Sequence, residues 1–217
     1  PPPEVPPCDP RRYHPFRTTL GSLDGSSDAV RPGPFLLVVE DPTTPSAAAY
    51  AVRVPSGASS DPGAYPGVAH LTEHCVFLGR AAAPDSPAGS ESENEYRSHL
   101  SVHGGRCNAG TALRRTTYRF ECPPRASSRA LELLWGALTR PALAEEACRR
   151  ELSAVEAEDA RNRGTNTYRR RMQAFKDAFV PEHWYGKYTT GNARTLADAH
   201  GSMSAYHRSH YGPGRLG

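Results

Sequence analysis

No apolar run in this chain approaches the roughly 18 residues that a membrane helix needs, which excludes a helical transmembrane span. The opening segment, PPPEVPPCDPRRYHPF, holds neither an apolar signal-peptide core nor an initiator Met. The chain therefore reads as a fragment, with any targeting information upstream. There is no C-x-x-C pair among the five cysteines (Cys8, Cys75, Cys107, Cys122, Cys148), whose number is odd and whose positions are scattered. That fits free thiols in a reducing compartment better than a disulfide framework, and is poor material for a zinc knuckle. The cytoplasm is the expected address, with an organelle left open by the N-terminus. Charge of one sign is not in excess either: 26 Lys+Arg stand against 23 Asp+Glu, a net of +3. Nothing in that balance points to nucleic acid, and the basic run YRRRM (168–172) reads as the solvated face of a helix.

What the chain does have is turn formers, 21 Pro and 19 Gly, over 217 residues, enough for one sizeable domain. Residues 1–34 are rich in Pro, Gly, Ser and Asp and read as a mobile lead-in, leaving 35–217 as the domain. FLLVVED (35–41) and AAYAVRV (48–54) read as neighbouring strands. Helical patterning follows over 68–78 and over 93–105, the latter stopping at paired glycines. Two strand-like segments fill 106–122, with Tyr118 and Phe120 alternating. SSRALELLWGALTRP (127–141) predicts an amphipathic helix with Ser at its start, and 143–163 a long one able to run on to about Phe179. The order ββ–α–α–ββ–α–α implies an α+β fold, a mostly antiparallel sheet covered by helices.

The segment GVAHLTEHCVFLG (67–79) carries the chemistry. On a helix, His70 and His74 lie about 40° apart on one face, so both imidazoles can reach one metal ion. Glu73 lies about 60° from His70 and about 100° from His74. It is badly aimed to ligate but well placed to act as a base on water that the metal activates. The pattern is H-x-x-E-H, the inverzincin motif; with nine histidines in the chain, it arises by chance only roughly a few per cent of the time. Leu71, Cys75, Phe77 and Leu78 give the same helix an apolar side. The pairs His99/His103 and His207/His210 have no interposed acid and read as structural.

A zinc hydrolase needs a third protein ligand. The long helix over 145–162 offers Glu151 and Glu158, seven apart and about 20° apart on one face, with Glu156 turned away. Periodicity does not choose between Glu151 and Glu158. GVAHLTEHCVFLG, SENEYRSHLSVHGGRCNAGTALRRTTYRFEC, ELSAVEAEDARN and GNARTLA, in that order, resemble the N-terminal catalytic domain of the pitrilysin/insulysin family of zinc metallopeptidases over about residues 35–211.

The resemblance implies one zinc ion per chain, His70, His74 and Glu158 as its ligands, Glu73 as catalytic base, and Glu151 as a residue that orients or tunes the site. It implies an endopeptidase that adds extended peptides as a strand along Asn108, Ala109 and Gly110. Phe77 is counted with the substrate-contacting residues; Tyr168 belongs either to the cleft wall or to the core. A homologous C-terminal half or partner subunit is expected to complete the enzyme. On that expectation the chain folds and binds zinc but cuts little alone, and its last strand is truncated. A non-catalytic peptide-binding subunit of the same fold is the alternative, and a mitochondrial processing subunit a third, disfavoured by ENEYRSHL and GGRCNAGT. Two departures stand out: a longer link, RAAAPDSPAGSES (80–92), and Gly110 where relatives often carry an aromatic residue.

Overall fold

The computed structural model describes residues 10–20, 31–81, 93–180 and 183–216. Most of the link after the motif helix (82–92), and parts of the N-terminal lead-in (1–9 and 21–30), lie outside them. The chain runs through β1 (Arg12–Leu20), β2 (Arg31–Glu40), β3 (Ala48–Val54), α1 (Val68–Val76), α2 (Glu95–Val102), β4 (Arg106–Thr111), β5 (Thr116–Cys122), α3 (Pro124–Thr139), α4 (Glu145–Thr165), α5 (Thr167–Lys176), α6 (Ala193–Leu196) and α7 (His200–His210). Helices and antiparallel strands are mixed as expected. Among the described residues no helix is long and apolar enough to cross a membrane.

The lead-in reading fails over 12–20 and 31–34. These residues pair as an antiparallel ribbon, β1–β2, kept apart from the main sheet. Prolines hid it: Pro15, Pro32 and Pro34 look like strand breakers, yet both strands of a two-stranded ribbon are edges, where a missing N–H is tolerated. Contrary to expectation β2 and β3 are not partners: β2 pairs with β1 and β3 with β5. After β2, Asp41 Oδ1 accepts hydrogen bonds from the amide and hydroxyl of Thr43, and the turn leads the chain away into a three-stranded sheet of order β3-β5-β4.

β5 is the middle strand, and its alternation buries Thr116, Tyr118, Phe120 and Cys122 on one face. Those side chains meet Val68, Leu71 and Val76 of α1 and Leu133, Leu134 and Leu138 of α3 in a continuous apolar core. Each such burial contributes about 1.5–3 kcal/mol. β4 is the terminal strand, fixed by Ala109↔Tyr118 and Thr111↔Thr116, and no strand covers its outer edge among the described residues.

Helix ends differ from the sequence reading in two places. α3 begins at Pro124, a good first-turn residue, and Ser127 sits within its first turn donating to the Pro124 carbonyl. The long helix stops at Thr165: Asn166 takes an extended backbone and its side chain accepts from the Arg169 amide, so α5 is a separate helix.

Candidate metal centre

The site is assembled where α1 packs against α4 and the edge strand β4. α1 enters from Gly67, whose φ of +100° favours glycine. A Cβ at Gly67 would lie 2.4 Å from the Cα of Gly191, itself at φ +71°. Two bare backbones thus approach closely, which brings the Thr190 carbonyl onto α1. The orphan amides at the helix start are satisfied from outside: Asp61 accepts from Gly67 N and Ala69 N, each at 2.7 Å. Burial outweighs those two donors and Lys187, so the Asp61 carboxyl is pushed up to about 6.

His70 and His74 project from one face of α1, ring centroids 4.8 Å apart and nearly perpendicular. Their Nδ1 atoms are both engaged. His70 Nδ1 donates to the Thr190 carbonyl at 2.8 Å, and His74 Nδ1 donates to Glu151 Oε2 at 3.2 Å. That leaves both Nε2 atoms turned toward α4, where Glu158 Oε2 lies 3.5 Å from His70 and 3.9 Å from His74. One donor atom from each of His70, His74 and Glu158 falls within 4.8 Å of the others. Bonds of about 2.0–2.2 Å in a tetrahedral zinc site set ligand atoms roughly 3.3–3.6 Å apart. Two imidazoles and a carboxylate at these separations fit such an ion with small side-chain adjustments, and Nδ1 anchoring of this kind orients histidine ligands.

The electrostatics agree. A hydrogen bond from His70, aided by the charges of both histidines against burial, holds Glu158 down at about 2. Burial works against protonating His70, but Glu158, Glu73 and the Thr190 carbonyl together outweigh it and raise its pKa. Glu151 is lowered, chiefly by its bond from His74. The acids of the cluster therefore favour positive charge between them.

Glu73 is buried at 7% exposure, and its Oε2 accepts from the Thr111 hydroxyl at 2.6 Å. It lines one cavity of about 600 Å³ together with His70, His74, Glu158, Phe77, Asn108, Ala109 and Gly110. Tyr168 does not line this cavity. It is 61% exposed and borders a smaller one of about 300 Å³, which shares Arg169, Thr189 and Thr190 with the first. Glu156 faces away, accepting from the Ala193 amide at 2.7 Å. The rival histidines are structural: His99 donates to the Ala126 carbonyl, His103 to the His99 carbonyl, and His207 to the Leu138 carbonyl.

Sequence reasoning missed Thr111, Thr190 and Asp61. Thr190 acts through its backbone, which no side-chain pattern reveals. Thr111 could have been found from the alternation that puts Cys107, Ala109 and Thr111 on one face of β4.

The family model described as Insulinase (Peptidase family M16) matches residues 36–176, and the chain belongs to that family. It is 37% identical over 160 residues to the A-factor-processing enzyme of Saccharomyces cerevisiae, covering 74% of this chain and 15% of that protein. Its identity to the insulin-degrading enzyme of Drosophila melanogaster is 35% over 164 residues, 75% of this chain and 16% of the relative. Human nardilysin is 33% identical over 181 residues, 78% and 15% respectively. The crystal structure of pitrilysin superimposes with a TM-score of 0.76 at 28% identity, over 94% of this chain and 22% of that one. The chain thus spans about a sixth of the curated relatives named here.

Proposed function

We propose that this chain holds one zinc ion on His70, His74 and Glu158 and forms the catalytic part of an endopeptidase acting on extended peptides. The observation that carries the reading is the convergence of both Nε2 atoms on Glu158 Oε2, with Glu73 buried in the same cavity. Zinc held there supplies Lewis acidity toward the scissile carbonyl and toward the attacking water. Glu73 accepts the proton of that water and returns it to the leaving amine. Thr111 holds the carboxylate of Glu73 in position through its hydroxyl. Glu151 and the Thr190 carbonyl fix the tautomers of the two histidines, so that each keeps Nε2 free for the metal. Peptide pairs with the outer edge of β4 beside Asn108, Ala109 and Gly110, and backbone pairing gives loose sequence preference. Phe77 lies under the entering chain; Tyr168 stands at its margin rather than over the metal.

Relatives several times longer favour a homologous C-terminal half as partner in closing around substrate. The four described cysteines are free, which fits a reducing compartment, cytoplasmic or organellar. Metal analysis of the purified chain tests the reading: one zinc per chain is expected, and Glu158→Gln is expected to lose it. Retention of full zinc by Glu158→Gln would remove the assignment.

A further inference from the structure

Two guanidinium groups in the main cavity have no carboxylate partner. Arg97 and Arg169 both line it, and among the described residues neither forms an ion pair, whereas the third arginine there, Arg106, is held by Glu121 at 2.6 Å. Arg97 rises from α2 and lays its guanidinium over the Phe77 ring, 4.9 Å from the centroid. The Cys107 thiol of β4 is within its hydrogen-bonding reach. Arg97 is thus stacked on an aromatic face within the cavity where the peptide would enter.

The charge balance of the cleft sharpens this. Glu73 and Glu158 are its only acids among the lining residues, and together they offset a divalent ion. Glu151, which feels Arg97, is already bonded to His74. Arg169 feels the charge of Glu158 without pairing with it, and among the described residues neither guanidinium is held by a carboxylate. A peptide on the β4 edge sets alternate side chains about 6.8 Å apart on one face, so one of them comes down over Phe77 beside Arg97.

We propose that Arg97, with Arg169 as the second cation of the cavity, makes the site selective for peptides carrying an acidic side chain over Phe77. This rests on the edge-binding reading above. Carboxylate and guanidinium meet there as a planar pair in a half-enclosed cleft, which gains more than an open surface pair.

The test uses the 217-residue chain with zinc added and Glu73→Gln to prevent turnover. Fluorescence anisotropy measures three labelled peptides of one extended sequence that differ only in Glu, Gln or Lys at a scanned position. At one position the Glu peptide is expected to bind roughly tenfold tighter than the Lys peptide, with the gap narrowing at high salt. Arg97→Met, which keeps the stem on Phe77, should flatten the difference, and Arg97→Glu should invert it. Equal affinity for all three peptides at every position, or an order unchanged by Arg97→Glu, overturns the selectivity while leaving edge binding intact. If no peptide of any charge binds, edge binding itself falls, and the selectivity with it.

Discussion

At the scale of single residues, the H-x-x-E-H core was legible because helical periodicity alone puts His70 and His74 on one face and swings Glu73 aside. Periodicity did not choose the proposed third ligand, since residues seven apart share a face and Glu151 and Glu158 are equivalent by angle; only the family resemblance pointed to Glu158. What separates them is height along α4: Glu158 lies at both Nε2 atoms, Glu151 at His74 Nδ1. This difference predicts two unequal losses. Glu158→Gln should abolish stoichiometric zinc, whereas Glu151→Gln should keep it but weaken affinity by about 10–100-fold, the usual effect of an outer partner. Competition with a chelating dye measures both, and the reverse order would exchange their roles. Thr111→Val should leave zinc affinity unchanged while lowering kcat of the completed enzyme, because the Thr111 hydroxyl bonds Glu73 and Thr116 but none of the proposed ligands.

Elements were read well where their pattern is amphipathic and poorly where a single polar residue decides a boundary. α1, α2, β4, β5 and α3 fall within a few residues of expectation, but Asn166 ends α4 by capping α5, a choice between two helical continuations that composition does not reveal. The entry to α1 depends on Asp61 and on the Gly67–Gly191 approach, neither visible as a motif. Gly191→Ala should be severely destabilising: its φ is positive and the new Cβ would sit 2.5 Å from Leu196 Cδ1. Circular dichroism melts would show it, with zinc affinity falling as Thr190 moves off His70. Asp61 gives a pH dependence of definite sign. Its folded pKa, about 6, stands above the ordinary 3.8, so the native state holds the proton more tightly than the unfolded chain. Its contribution is full below 3.8 and is lost as pH rises through about 6, on the order of 3 kcal/mol at most. Urea titrations at pH 5 and 7 should show a steeper fall for the wild type than for Asp61→Asn, which lacks the Asp61 contribution. Parallel behaviour of the two would rule out a raised carboxyl there.

At the scale of the molecule, the proposed ligands His74 and Glu158 stand 84 positions apart on two elements, so zinc held between them would be coupled to the fold. An ion that binds only the folded chain stabilises it by RT ln(1 + [Zn]/Kd), about 4 kcal/mol at a thousandfold excess over Kd. A chelator should therefore lower Tm by several degrees, and Glu158→Gln should be insensitive to it. The β1–β2 ribbon shows why global assembly escaped the sequence: its strands are ordinary, but their isolation from the main sheet is a tertiary fact, and Phe16, Leu36, Leu37, Val38 and Val39 are 38–50% exposed on it. The solved pitrilysin structure to which the chain is similar is several times longer. Substrate held only by the edge of β4 gains a few backbone bonds of about 1 kcal/mol each and loses its own chain entropy, so productive positioning needs a second surface. A quenched-fluorescent peptide should accordingly be cut slowly by the zinc-loaded chain alone and faster by orders of magnitude once a family C-terminal half is added, with KM falling as kcat rises. Robust turnover by the chain alone would show instead that β4 and the metal suffice to bind and orient a peptide.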